Sequence, residues 1–190
     1  MMTFKEFGEK LDNLNKAYEE LKKKYRKPEV GGIFEVAGIK WRVLDKFDKG
    51  YLVISDDFHG DCEEFDSGSN NWGSSDLRSK LEELRKKIED ELGDGALVEF
   101  ERDLLSLDGQ TEYGTCMDYV SLLSVDEYRK YRKLLPNMDE WWWLLTPYST
   151  PCNGYSRSVA VVSPSGGVND NGCSNFSGCS PILYLFLFNL

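Results

Sequence analysis

The period of the apolar residues changes from helix to strand at the Gly31–Gly32 pair, and that change limits what the chain can become. Before it, Phe4, Phe7, Leu11, Leu14, Tyr18, Leu21 and Tyr25 recur at alternating spacings of three and four. This spacing puts them on one helical seam and predicts a Lys- and Glu-rich helix over residues 3–26. Pro28 and the glycine pair end it. From Ile33 to Asp57 the pattern becomes that of three short strands, with Ala37–Gly38 and Asp48–Lys49–Gly50 as turns. The chain therefore reads as α+β, with an N-terminal amphipathic helix (residues 1–28) appended to a domain over residues 30–190. Three heptads are marginal for an isolated coiled coil. The seam either pairs with a copy of itself, serving self-association or docking, or lies on the domain.

Further along, Ser75 or Asp76 caps a helix that runs to about Leu92, with Leu77, Leu81, Leu84 and Ile88 as its buried stripe. A strand is expected near Ala96–Phe100 and another over Tyr119–Leu123. Ser124, with Glu127 three residues on, forms a capping box for a helix that stops before Pro136. In WWWLLTP (141–147) adjacent side chains of a strand face opposite ways, so Trp141, Trp142 and Trp143 cannot all share one side. They are expected as scaffold around any site. Segments around Ser158–Ser163 and Gly166–Asn169 read as a hairpin about Pro164–Gly167. Val159 and Val161 alternate with Ala160 and Val162, so one pair should point inward.

Charge and residue usage exclude several functions. A net charge of −10 speaks against nucleic acid, which needs clustered Lys and Arg, and against an anionic membrane surface. The apolar run Ile182–Leu190 is too short to span a bilayer and reads as a C-terminal strand, so no membrane insertion is expected. The N-terminus is charged from Lys5 and lacks the apolar core of a secretory signal, which implies a cytoplasmic or virion-associated protein. Cys62, Cys116, Cys152, Cys173 and Cys179 are odd in number, fit no C-x-x-C spacing and read as free thiols. His59 is the only histidine, so neither a zinc site nor a Ser-His-Asp or Cys-His site can be assembled around more than that one loop residue. Asp56, Asp57, Asp61, Glu63, Glu64 and Asp66 crowd one loop, but without the D-x-D-x-D-G spacing of a calcium site they read as a solvated charge run. No phosphate-cradling glycine motif is present. No catalytic residue, metal or cofactor is expected.

Four segments then carry a resemblance: FEVAGIKWRVLDKFDKGYLVIS (34–55), NWGSSDLRSKLEE (71–83), YVSLLSVDEY (119–128) and WWWLLTPYST (141–150), with a Gly-x-x-Pro element at Gly178–Pro181. Weak singly, they are specific as a set. Over residues 30–190 the chain resembles phage- and gut-bacterial proteins built on a domain of unknown function with a C-type lectin-like fold. Many of these are variable proteins of diversity-generating retroelements. The chain departs from the family where Gly178-Cys179-Ser180-Pro181 replaces a Gly-Val-Arg-Pro-like sequence, and in the hydrophobicity of Ile182–Leu190. That departure concerns the closing strand, not the fold.

The resemblance implies a ligand-binding protein whose C-terminal region, residues 148–190, is rewritten through an error-prone reverse transcriptase that misreads adenines. Codons of the AAY type then never yield Lys, Glu, Gln, Met or Trp. These five types make up 42 of residues 1–147, so about a dozen would be expected among the 43 residues Tyr148–Leu190, which contain none. The positions implied as variable and ligand-facing are Tyr148, Asn153, Tyr155, Arg157, Ser158, Ala160, Val162, Ser163, Val168, Asn169, Asn171, Cys173, Asn175 and Phe176. Their Tyr, Ser, Asn and Arg content is that of antibody paratopes. The implied partner is a protein or other surface ligand. Competing readings are a fixed-specificity lectin-like module, a phage structural or adhesion protein, and an oxidase of the formylglycine-generating type, which shares the fold but would need a reactive cysteine pair.

Overall fold

A computed structural model describes residues 4–24, 28–48, 50–57, 62–175, 179–180 and 184–188. Tyr25, His59, Asp61, Phe176, Gly178 and Pro181 lie outside them. The class is α+β, with sheets that are antiparallel but for one short parallel pair and three α-helices among the described residues. The seam helix is α1 (Phe4–Lys24). Phe4, Phe7, Leu11, Leu14 and Tyr18 are all exposed on it, so these seam residues are not packed onto the domain. No helix among the described residues is long and apolar enough to cross a membrane.

Strands β1 (Ile33–Val36), β2 (Ile39–Phe47) and β3 (Gly50–Ser55) form an antiparallel meander. The two-residue turn between β1 and β2 places Ala37 and Gly38 at φ of 53° and 71°, the left-handed pair that matches strand twist. Ala37 is the one non-glycine residue in that region among the described residues, and its N–H donates to the Glu91 carboxylate at 2.7 Å. Next come α2 (Asp76–Leu92), β4 (Phe100–Asp103), β5 (Thr115–Asp118), β6 (Val120–Ser121), α3 (Val125–Tyr131), β7 (Trp141–Pro147), β8 (Ser158–Val162), β9 (Val168–Gly172), β10 (Cys179–Ser180) and β11 (Tyr184–Phe188). One sheet has the order β1-β2-β3-β11-β6 and a second β10-β7-β8-β9, while β4 and β5 pair by themselves. The C-terminal apolar run thus supplies β11, which is inserted antiparallel between β3 and β6.

The α2 stripe is as the spacing predicts. Leu77, Leu81, Leu84 and Ile88 are buried and Ser75 caps the helix by accepting the Arg78 N–H. Each such side chain contributes about 2 kcal/mol of hydrophobic burial. Both halves of the Ser124/Glu127 capping box form. The helix it starts is shorter than expected, ending at Tyr131, with residues 132–134 in turns. The strand expected near Ala96–Phe100 lies instead at Phe100–Asp103, where it pairs with Thr115–Asp118. Its Arg102 is buried because Glu127 forms a two-pronged ion pair with it.

The core lies on both sides of the sheets. One cluster joins α2, Phe65 and Trp72 to Trp41, Val43, Val53, Trp143, Leu145, Val159 and Val161. The other joins α3 residues Val125, Tyr128 and Tyr131 to Leu44, Leu52, Ile54, Trp142, Leu144, Ala160 and Val162. Strands β7 and β8 are therefore covered on both faces. Trp142 stacks edge-on against Tyr128 on one side, while Trp143 packs by Phe65 on the other and donates Nε1–H to the Glu63 carbonyl at 2.9 Å. Trp141 is half-buried against the first cluster.

Candidate functional site

The chain leaves β7 at Pro147 and re-enters the sheet at Ser158, and the ten residues between them form a loop whose base is tied tightly. The Tyr148 N–H donates to the Ser158 carbonyl at 2.9 Å. Beneath the loop sits the fully buried side chain of Asn70. Its amide donates to the carbonyls of Ser149 (2.8 Å), Ser158 (2.9 Å) and Tyr155 (3.5 Å), and its Oδ1 accepts the Tyr113 hydroxyl at 2.7 Å. The Asn70 backbone N–H adds a bond to the Ser156 carbonyl. One side chain thus satisfies carbonyls at both ends of the loop.

At the loop tip, Pro151–Asn153 makes a 3₁₀ turn closed by Gly154 at φ 79°, and Glu112 accepts the Cys152 N–H at 3.0 Å. Asp108 braces the near side by accepting the hydroxyls of Ser106 and Ser149 and the Asn153 amide. These bonds, that of Ser106 foremost, hold the Asp108 carboxyl down from an ordinary 3.8 to about 2. Because the folded value lies below the unfolded one, this brace is fully present above about pH 4 and is lost as pH falls from there toward 2. Acid titration of the wild type, followed by the Asn153 side-chain amide resonances, should show the loop releasing in that window. In Asp108→Asn the transition should be absent.

Leu107, Asp108, Tyr148, Ser149, Asn153 and Tyr155 line a cleft of about 340 Å³. Tyr148 and Tyr155 are 43% and 60% exposed, with ring centroids 6.2 Å apart and planes at 66°. Arg157 is exposed beyond it, reaching the Ser67 carbonyl at 3.5 Å. Strand β9 continues the surface. Val168, Asn169 and Asn175 are exposed and Asn171 half-buried, while Ser158 and Ser163 are half-buried at the two ends of β8. On β9, Asn169 and Asn171 each accept, through Oδ1, the N–H of the following residue.

Three of the positions expected to face a ligand do not. Ala160 and Val162 are buried against α3, because β8 is covered on both faces; both alternating pairs point inward, not one. Cys173 is buried under Phe65, whose N–H, like that of Asp66, donates to the Cys173 carbonyl, and burial pushes its thiol up. Phe176 lies outside the described residues. Tyr148, Asn153 and Tyr155 come together in the cleft; Val168, Asn169, Asn171 and Asn175 share β9 and its exit. Ala160→Leu should destabilise by about 1–3 kcal/mol through overpacking, whereas Tyr155→Ala should stay within about 0.5 kcal/mol of wild type in urea unfolding. Equal, small effects would contradict the burial of β8.

Three acids of the 56–66 loop, Asp56, Glu63 and Asp66, are engaged in structure. Asp56 pairs with Arg42, Glu63 with Lys80, and Asp66 accepts the N–H groups of Gly68, Ser69 and Asp76. Among the described residues no three His, Cys, Asp or Glu are grouped to hold a metal ion, and Cys116, Cys152 and Cys173 form no disulfide. Asn70, Asp108, Glu112 and Tyr113 were not legible as site residues. The Asp108–Gly109 pair signals a turn, but nothing local says what its carboxylate holds. No family model, curated protein or solved structure matches the chain.

Proposed function

We propose that this protein is a ligand-binding module of the C-type lectin-like kind, the variable protein of a diversity-generating retroelement, with its recognition surface in the region from Tyr148 onward. The observation that carries the reading is a division of labour within that region. Tyr148, Asn153, Tyr155, Arg157, Val168 and Asn169 stand exposed on a loop and an edge strand, while the strand between them is buried on both faces. Variation on the first set leaves the core untouched, which a surface of changing specificity requires. The absence of Lys, Glu, Gln, Met and Trp from residues 148–190 is the second support. The Asn70 clasp is the third, since a loop preorganised by its underside can change its outer side chains at little cost in order.

The role is binding rather than catalysis, and the partner is a protein or other surface ligand. The test is to sequence the genomic neighbourhood of the gene for a near-identical copy of the codons for residues 148–190 beside a reverse transcriptase. A copy that differs only at its adenines, with differences falling on the exposed positions and sparing Ala160 and Val162, supports the reading. Absence of both copy and reverse transcriptase overturns it in favour of a lectin-like module of fixed specificity.

A further inference from the structure

The cleft beside the loop has a chemistry of its own. Two tyrosine rings meeting at 66° form a corner, Leu107 adds apolar surface, and Asp108 supplies a carboxylate. The side chains that donate to that carboxylate, Ser106, Ser149 and Asn153, are all neutral. None of the six lining residues is basic, so the cleft carries net negative charge within a chain of net charge −10. Aromatic faces beside a fixed negative charge attract an organic cation. The existing hydrogen bonds narrow the choice. A carboxylate offers roughly four acceptor sites, and here three side chains already use them. A guanidinium or primary ammonium would compete with Ser149 and Asn153 for the oxygens. A quaternary ammonium has no proton to donate and needs only the field and the ring faces.

We propose that the cleft lined by Asp108, Tyr148 and Tyr155 is a binding site for a quaternary ammonium group. The inference rests on reading this face as a binding surface and names the ligand chemistry of one part of it. The carboxylate stays ionised throughout the neutral range, since its bonds hold it at about 2. The charge of the chain favours a ligand without a phosphate next to the ammonium.

The test is a titration of the full chain with tetramethylammonium, followed by the backbone amide resonances of Asn153 and Tyr155, beside titrations with tert-butanol, its neutral counterpart in size, and with N-acetyl-lysine methylamide. Saturable shifts with tetramethylammonium are expected at millimolar concentrations, a scale suited to so small a ligand. Tert-butanol should leave the resonances unmoved and the lysine amide should bind more weakly. Binding should weaken about tenfold or more in Asp108→Asn. Tyr155→Leu, an exposed change that leaves the loop base intact, should weaken it as well. Equal response to tert-butanol, or no saturable response up to about 100 mM, overturns the proposal; tighter binding of the lysine amide overturns the quaternary assignment. If the cation does not bind but the genomic copy exists, only this ligand class fails. If it binds and no copy exists, the cleft stands as a site of fixed specificity.

Discussion

Replacing Asn70 with Leu is expected to destabilise the protein by about 3 kcal/mol. Leu has the heavy-atom count and branching of Asn but more volume, so some overpacking adds to the loss of hydrogen bonds. The substitution removes the donors to the Ser149 and Ser158 carbonyls and the acceptor for Tyr113, in a position fully closed to water. A buried polar group left without a partner costs about 1–3 kcal/mol. Tyr113→Phe removes only the bond to Oδ1 and should cost about 1 kcal/mol. Asn70→Asp should be worse than either at neutral pH, because an ionised oxygen would then face carbonyl oxygens. Urea unfolding of the three variants checks the order. An Asn70→Leu effect below about 0.5 kcal/mol would show that the amide does not hold the loop.

Removal of the Glu127 side chain has the other large expected effect. Arg102 is 4% exposed, and its guanidinium donates to both carboxylate oxygens of Glu127 and to the Leu122 carbonyl. In Glu127→Ala this buried charge loses its counter-ion, a change that typically costs about 3–5 kcal/mol. The same carboxylate also accepts the Ser124 N–H at 2.8 Å, so one half of the α3 capping box is lost at the same time, adding about 1 kcal/mol. Arg102→Met should be milder, because the Glu127 side chain is 24% exposed and water can serve it. The double variant Arg102→Met/Glu127→Gln should be clearly more stable than Glu127→Ala. A double-mutant cycle built on these positions reads the coupling, and additivity within about 0.5 kcal/mol would mean the pair is not a unit.

Of the residues behind the two large effects, Asn70 was not legible, and Glu127 was legible only as a helix cap and not as the partner of Arg102. The helix of Leu77, Leu81, Leu84 and Ile88, the turn at Ala37–Gly38 and the Ser124/Glu127 box were readable because each is local, its partners lying within a few positions. Asn70 is bound to residues 79 and 88 positions away, and no short-range pattern encodes such a meeting. The strand Phe100–Asp103 was misplaced for a related reason. Its buried Arg102 breaks the apolar alternation, and the glutamate that makes burial tolerable comes from another element 25 positions on. At Ala160 and Val162 the reading failed through an assumption, that a strand has one wet face. Only the placement of α2 and α3 on opposite sides shows that β8 has none. Tyr148, Asn153, Tyr155 and Arg157 entered the candidate surface through the family resemblance; that the first three meet in one cleft is visible only in the fold.

The double covering of β7 and β8 also sets how motion is distributed. Their amides lie between two apolar clusters, so exchange with solvent deuterium there requires opening that reaches both helices. The 3₁₀ turn at Pro151–Asn153 is solvent-exposed and can breathe without disturbing either cluster. Fluctuations of the turn therefore stop at Tyr148 and Ser158, where the backbone bond between them joins the slow region. A substitution in the turn therefore acts through a local opening equilibrium, and it can lower the free energy of global unfolding by no more than the free energy of opening the turn itself.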